Sequence, residues 1–139
     1  MKQGVTLIEL LVVIALIAIL GGLTTPFLSR FVRTHSAETL TNTVYGSLRK
    51  AQSYAMANKY NATWGVCKSG NQIILYAGSC ANPTYSEQTS IPSTISVSGF
   101  TDVTFTMRGE PSTAITITLD AAIRTHTISV NAAGGFSRT

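Results

Sequence analysis

Few side chains in this 139-residue sequence are equipped for chemistry, and their spacing decides what they can do. Of the two histidines, His35 falls in a helical pattern. His126 sits on an alternating strand between Thr125 and Thr127, the pattern of a surface or cross-strand residue. Asp120 and Ser129 are near His126 in sequence, yet no nucleophile elbow, phosphate loop or metal spacing accompanies them. Cys67 and Cys80 have no neighbouring histidine and do not make four metal ligands. They read as a disulfide or as two free buried thiols. The bridge is favoured, because a small domain with a thin core gains most from a staple, about 3 kcal/mol for so short a loop. Trp64 and Tyr60 read as core and rim aromatics rather than a ligand cage. These residues point to no enzyme, no cofactor and no metal. What remains is a carboxylate in an unexpected place. Glu9 heads the apolar run from Leu10 to Leu20, and a carboxylate costs a few kcal/mol to place in lipid unless it is paired or neutralised.

The elements that would position Glu9 follow from hydrophobic pattern. Residues 5–28 are long enough to cross a bilayer at about 1.5 Å per residue. A secretory signal fits poorly, because Glu9 interrupts the apolar region and no small-residue cleavage site follows in register. Charge does not set orientation, since Lys2 flanks one side and Arg30 and Arg33 the other. Gly21, Gly22, Thr24, Thr25 and Pro26 weaken the helix, which predicts a kink or local unwinding over 21–26. Leu40, Val44, Leu48, Ala51 and Ala55 then recur at helical spacing and predict an amphipathic half over 29–60 that fades near Asn58 to Asn61. The two halves would form one rod of ~75–80 Å.

From residue 61 the sequence reads as strands. Thr63 to Cys67 and Ile73 to Ala77 flank the hairpin signal Lys68-Ser69-Gly70-Asn71. Gly78 to Pro92 reads as a loop. Ile95 to Val97, Val103 to Met107, Ala114 to Leu119 and Arg124 to Val130 read as strands, with turns at 108–111, 120–122 and 131–135. About six strands against the helix predict an α+β chain whose 61–139 segment is a small antiparallel β-sheet domain. Charge is uneven. Residues 30–59 carry a net +4, while residues from 60 onward are neutral overall. The β-rich portion therefore lacks a basic field for polyanions.

Gly4-Val5-Thr6-Leu7-Ile8-Glu9-Leu10-Leu11 resembles the processing motif of type IV prepilins and type II secretion pseudopilins. The resemblance implies a leader over residues 1–4, cleaved after Gly4 by a membrane aspartic peptidase that then methylates the new amine of Val5. Glu9 becomes the fifth mature residue, where that family carries its glutamate. Pro26 becomes the twenty-second, where it commonly carries a helix-kinking proline. Val5 stands where phenylalanine is commonest. Pairing the Val5 amine of one subunit with Glu9 of a neighbour would neutralise two charges that are each costly in lipid.

Two further stretches, Leu48 to Asn58 with Thr63 to Cys67, and Arg124 to Asn131 with Gly134, Gly135 and Phe136, resemble the GspH/FimT group of minor pilins and pseudopilins. The implied partners are the chain itself or sibling pilins in a helical filament, the prepilin peptidase, an inner-membrane assembly platform, and the membrane before assembly. The implied location is a single-pass membrane protein with an extracytoplasmic domain, then a pilus or pseudopilus. Some FimT-like proteins take up DNA through basic residues near the C-terminus, which here would be Arg124 and Arg138, with Lys68. An adhesive tip subunit is the related alternative. The zero net charge beyond residue 60 argues against DNA, whose binding rests on phosphate neutralisation.

Overall fold

Helix α1 runs from Leu7 to Met56 in the computed structural model, which describes residues 5–122 and 124–139, with the side chains of residues 23–30 outside that description. The chain divides into two compact units, Met1–Val32 and Arg33–Thr139. In the second unit Ala37, Leu40, Val44, Leu48, Ala51 and Ala55 are each at most 4% exposed, so the stripe expected from Leu40 onward is the buried face. Their three- and four-residue spacing keeps them on one side of the helix. Thr41 lies in the same stripe, and its hydroxyl donates to the Ala37 carbonyl at 2.8 Å, which satisfies a polar group that burial would otherwise penalise. The helix ends at Met56, just before the Asn58 to Asn61 stretch where it was expected to fade. A single 3-10 turn, Lys59–Asn61, follows it.

Eight strands follow: β1 Trp64–Ser69, β2 Gln72–Gly78, β3 Pro83–Ser90, β4 Ser96–Ser98, β5 Val103–Phe105, β6 Ile115–Asp120, β7 Thr125–Val130 and β8 Phe136–Arg138. They form two four-stranded antiparallel sheets, ordered β3-β2-β1-β5 and β4-β6-β7-β8, where one sheet of about six strands was expected. The fold is α+β as expected. One continuous core joins the helix stripe to the inner faces of both sheets: Trp64, Val66, Leu75 and Val103 from the first, Ile117, Leu119, Ile128 and Val130 from the second.

One difference has a physical cause. The segment expected as a loop, Gly78 to Pro92, contains β3, an edge strand paired to β2. Its inward positions are Tyr85, Glu87 and Thr89, all half-buried, so the two-residue period is present but carried by polar or amphipathic side chains. Pro83 opens the strand, a position where a missing N–H costs nothing. Lys50 reaches Glu87 at 2.5 and 2.7 Å, and Tyr85 donates to the same carboxylate at 2.5 Å. His126, expected as a surface or cross-strand residue, lies opposite Leu119 of β6. It is half-buried on the same face of β7 as Ile128 and Val130, the face that carries the core.

The turns hold the sheets to the helix. The Gln52 amide donates to the carbonyls of Gly109 at 2.7 Å and Gly134 at 2.9 Å, tying two loops to α1. Gly134 has φ +80°, and a Cβ there would overlap the Gly109 carbonyl and lie 2.7 Å from Gln52 Nε2. Only glycine fits. Asn131 closes the same turn, its Oδ1 accepting from Ala133 and Gly135. On the outer face of the first sheet, Cys67 and Cys80 form a disulfide beside Ile74 and Tyr76. Burial, then a 2.5 Å hydrogen bond to Asp102, pushes the Tyr76 phenol up.

Candidate assembly site at the start of the helix

Between Val5 and Gly22 the only polar side chains are Thr6 and Glu9. Branched and straight apolar residues fill the rest, and α1 forms from Leu7. Thr6 is its N-cap residue. The Thr6 carbonyl accepts from the amides of Glu9 at 3.1 Å and Leu10 at 3.3 Å. Glu9 Oε2 reaches back to the Thr6 amide at 3.4 Å and its hydroxyl at 3.5 Å. This is half of a capping box, in which the carboxylate three residues inside the helix satisfies the N-cap amide. It also lies at the positive end of the helix dipole. The signal for this cap is the Thr-x-x-Glu spacing of Thr6 and Glu9, which the apolar run around the carboxylate masks.

The surroundings of Glu9 are apolar and uncovered. Val13 is 50% exposed and Leu7 79%, the extremes among the large apolar residues of 5–20. Both contacts to the Glu9 carboxylate fall on one oxygen, and an ionised carboxylate has about four acceptor sites. It can therefore accept from a further donor. The arrangement can pack apolar helices side by side and match one positive charge per carboxylate.

Val5, on the predicted cleavage junction, is exposed and precedes the helix. Gly4 lies outside the described residues. Helix α1 is unbroken through Gly21, Gly22 and residue 26, and nothing lies within 4 Å of where a Cβ would stand on either glycine. The side chain of Pro26 is outside the description. Among the described residues no helix is long and apolar enough to cross a membrane.

The basic residues proposed for DNA do not share one surface. Arg138, at the end of β8, turns back onto the helix, donating to Asn42 Oδ1 and lying 5.8 Å from the centre of the Tyr45 ring. Arg124 is exposed just before β7. Lys68 is in β1, in the other sheet. His126 lines a cavity of about 260 Å³ with Glu38, Thr41, Arg138 and Thr139. Among the described residues no group of three or more His, Cys, Asp or Glu is placed to hold a metal ion.

Comparison with known families adds to this geometry. The sequence model of the type II transport protein GspH matches residues 40–134, which takes in the helix stripe from Leu40 to Ala55 and seven of the eight strands in full. The chain belongs to the GspH family. The prokaryotic N-terminal methylation motif matches residues 1–25, the segment that holds Thr6 and Glu9. Neither a curated protein nor a solved structure gives a significant match. As a GspH-family member with this motif, the protein is of the pilin and pseudopilin type, with a structural role. That type implies processing by the prepilin peptidase, a membrane-anchored N-terminus, an extracytoplasmic domain, and assembly with other pilins or pseudopilins.

Proposed function

We propose that this GspH-family chain is cleaved after Gly4 and enters a filament by pairing the new Val5 amine with Glu9 of a neighbouring subunit. The observation that carries the reading is the first unit's surface: an exposed apolar helix with a single carboxylate in its first turn. Before assembly residues 5–28 anchor the chain in the inner membrane, and residues 61–139 lie outside the cytoplasm. On assembly each helix exchanges lipid contacts for the helices of other subunits. A contact of this head-to-tail kind propagates into an open helix. Gly21, Gly22 and Pro26, helical in the single chain, supply a stretch that unwinds when subunits pack. Cys67 and Cys80 suit that compartment, since a disulfide persists outside the reducing cytoplasm.

DNA uptake through Arg124 and Arg138 has less support, because Arg138 is engaged by Asn42 and Tyr45 and the residues from 60 onward carry no net charge. Mass spectrometry of the protein purified from its own host tests the processing step. The expected mature chain begins at Val5 with a methylated amine. A chain that retains Met1 in the assembled fraction contradicts the reading.

A further inference from the structure

Where β8 meets the helix, two cations stand without counter-charges. Asn42, Tyr45 and Arg49 recur at three- and four-residue spacing, which places them on one side of α1. The Arg49 guanidinium lies 5.6 Å from the centre of the Tyr45 ring and 5.8 Å from that of Phe136. Arg138 approaches the same Tyr45 ring at 5.8 Å and donates to Asn42 Oδ1. The two rings are half-buried and meet edge to face, their centroids 5.8 Å apart. Phe136 in turn stacks on Phe105, which is buried in the core. The rings are therefore anchored, and each guanidinium is held against them while both arginines stay exposed.

Among the described residues neither arginine forms an ion pair. Glu38, one turn before Asn42, lines a cavity with Arg138 without pairing to it. A guanidinium is always charged and offers five N–H donors in a planar fork that matches a carboxylate. Covering apolar ring surface would account for one arginine. Two arginines on a single tyrosine, one of them steadied by Asn42, present positive charge in a preset geometry. Nucleic acid is a poorer match than carboxylates, because its affinity grows with the number of phosphates neutralised and the residues from 60 onward supply no net charge. A second copy of the chain is also a poor match. Its six acidic residues are scattered singly along the sequence, Glu87 is held by Lys50 and Asp102 accepts from Tyr76.

We propose that this surface docks an acidic segment of a sibling subunit, with one carboxylate on Arg49 and another on Arg138. The affinity for carboxylates stands on the geometry alone, and only the identity of the partner rests on the assembly reading. Because the rings hold the guanidiniums before contact, less side-chain freedom is lost on docking.

The test uses the full-length processed protein, unassembled, in a zwitterionic detergent at low salt. Hexaglutamate, hexaglutamine and a short DNA duplex are each titrated, with the Nε–Hε NMR signals of Arg49 and Arg138 as the readout. Hexaglutamate should shift both signals saturably and hexaglutamine should not. Arg49→Gln and Arg138→Gln should each weaken the response by about fivefold, the upper range for an exposed ion pair. Tyr45→Leu keeps both charges and an apolar side chain, and it should weaken the response as well. In the native host, Arg49→Glu combined with Arg138→Glu should leave cleavage intact and lose most incorporation into sheared filaments. The proposal is overturned by the absence of a saturable shift with hexaglutamate, or by a response that Tyr45→Leu leaves unchanged. A stronger response to the DNA duplex than to hexaglutamate overturns it in favour of nucleic acid, and wild-type incorporation of the doubly reversed protein removes the sibling subunit as partner. The titration does not require assembly, so its failure leaves the assembly reading standing, while a chain that retains Met1 would sink that reading without altering the titration.

Discussion

From Val5 to Leu20 every large apolar side chain is at least half exposed, whereas among the described residues of the Arg33–Thr139 unit only Met56, Tyr60 and Met107 are. The same helix supplies both regions, so helix propensity does not distinguish them. What distinguishes them is where burial comes from. The second unit buries its stripe against its own two sheets and is complete within one chain. The first leaves its described large apolar side chains exposed, and an exposed apolar surface of that extent marks a site for membrane or other chains. The stability of one region should therefore be a property of the monomer, and the order of the other a property of its surroundings.

Substitutions should separate the regions cleanly. The largest effect is expected from Gly134→Ala, where the added Cβ meets the Gly109 carbonyl in a left-handed backbone; we expect a loss of ~4 kcal/mol or failure to fold, read from denaturant midpoints. Leu48→Ala, at a fully buried position, should cost about 2–5 kcal/mol in the same measurement. Replacing Cys67 and Cys80 together by alanine should cost about 3 kcal/mol, with reduction of the wild type giving a similar shift. By contrast Leu11→Ala or Ile14→Ala should leave the midpoint of the globular unit within ~0.5 kcal/mol. A large shift from either would show that the two regions are not energetically separate.

The smallest effect concerns the Lys50–Glu87 pair. Hydrogen bonds from Lys50 and then Tyr85 hold the Glu87 carboxyl below its ordinary value, and the bond to Glu87 holds Lys50 above its own. The glutamate's contribution is present above the ordinary carboxylate range and is lost as pH falls through its lowered value. The lysine's is present below the ordinary lysine range and is lost as pH rises through its raised value. Both side chains are about two-fifths exposed, so a double-mutant cycle should give only ~0.2–1 kcal/mol at neutral pH. Unfolding midpoints of wild type and Glu87→Gln should converge on acidification.

The sequence was informative where burial follows a strict period. The Leu40 to Ala55 stripe, the β1–β2 hairpin around Gly70-Asn71 and the alternation of Ile115, Ile117 and Leu119 were all readable. The third strand was not, because an edge strand can keep its period with Tyr, Glu and Thr in place of aliphatic residues. The division into two sheets was not readable either, since it depends on pairings such as Trp64 with Phe105 that cross long stretches of chain. The Gln52 clamp joins residues 57 and 82 positions apart and leaves no local pattern. At the start of the helix Glu9 was legible as a misplaced charge, and its cap on Thr6 as the spacing Thr-x-x-Glu.

The central claim is that Glu9, beyond capping the start of its own helix, serves contacts between chains and adds nothing to the stability of the globular unit. The most direct measurement compares Glu9→Ala with wild type in the native host, scoring incorporation into sheared filaments alongside the thermal melt of the globular unit. The account predicts cleaved, membrane-held protein with an unchanged melt and almost none in filaments. Wild-type incorporation of the Glu9→Ala protein would contradict it.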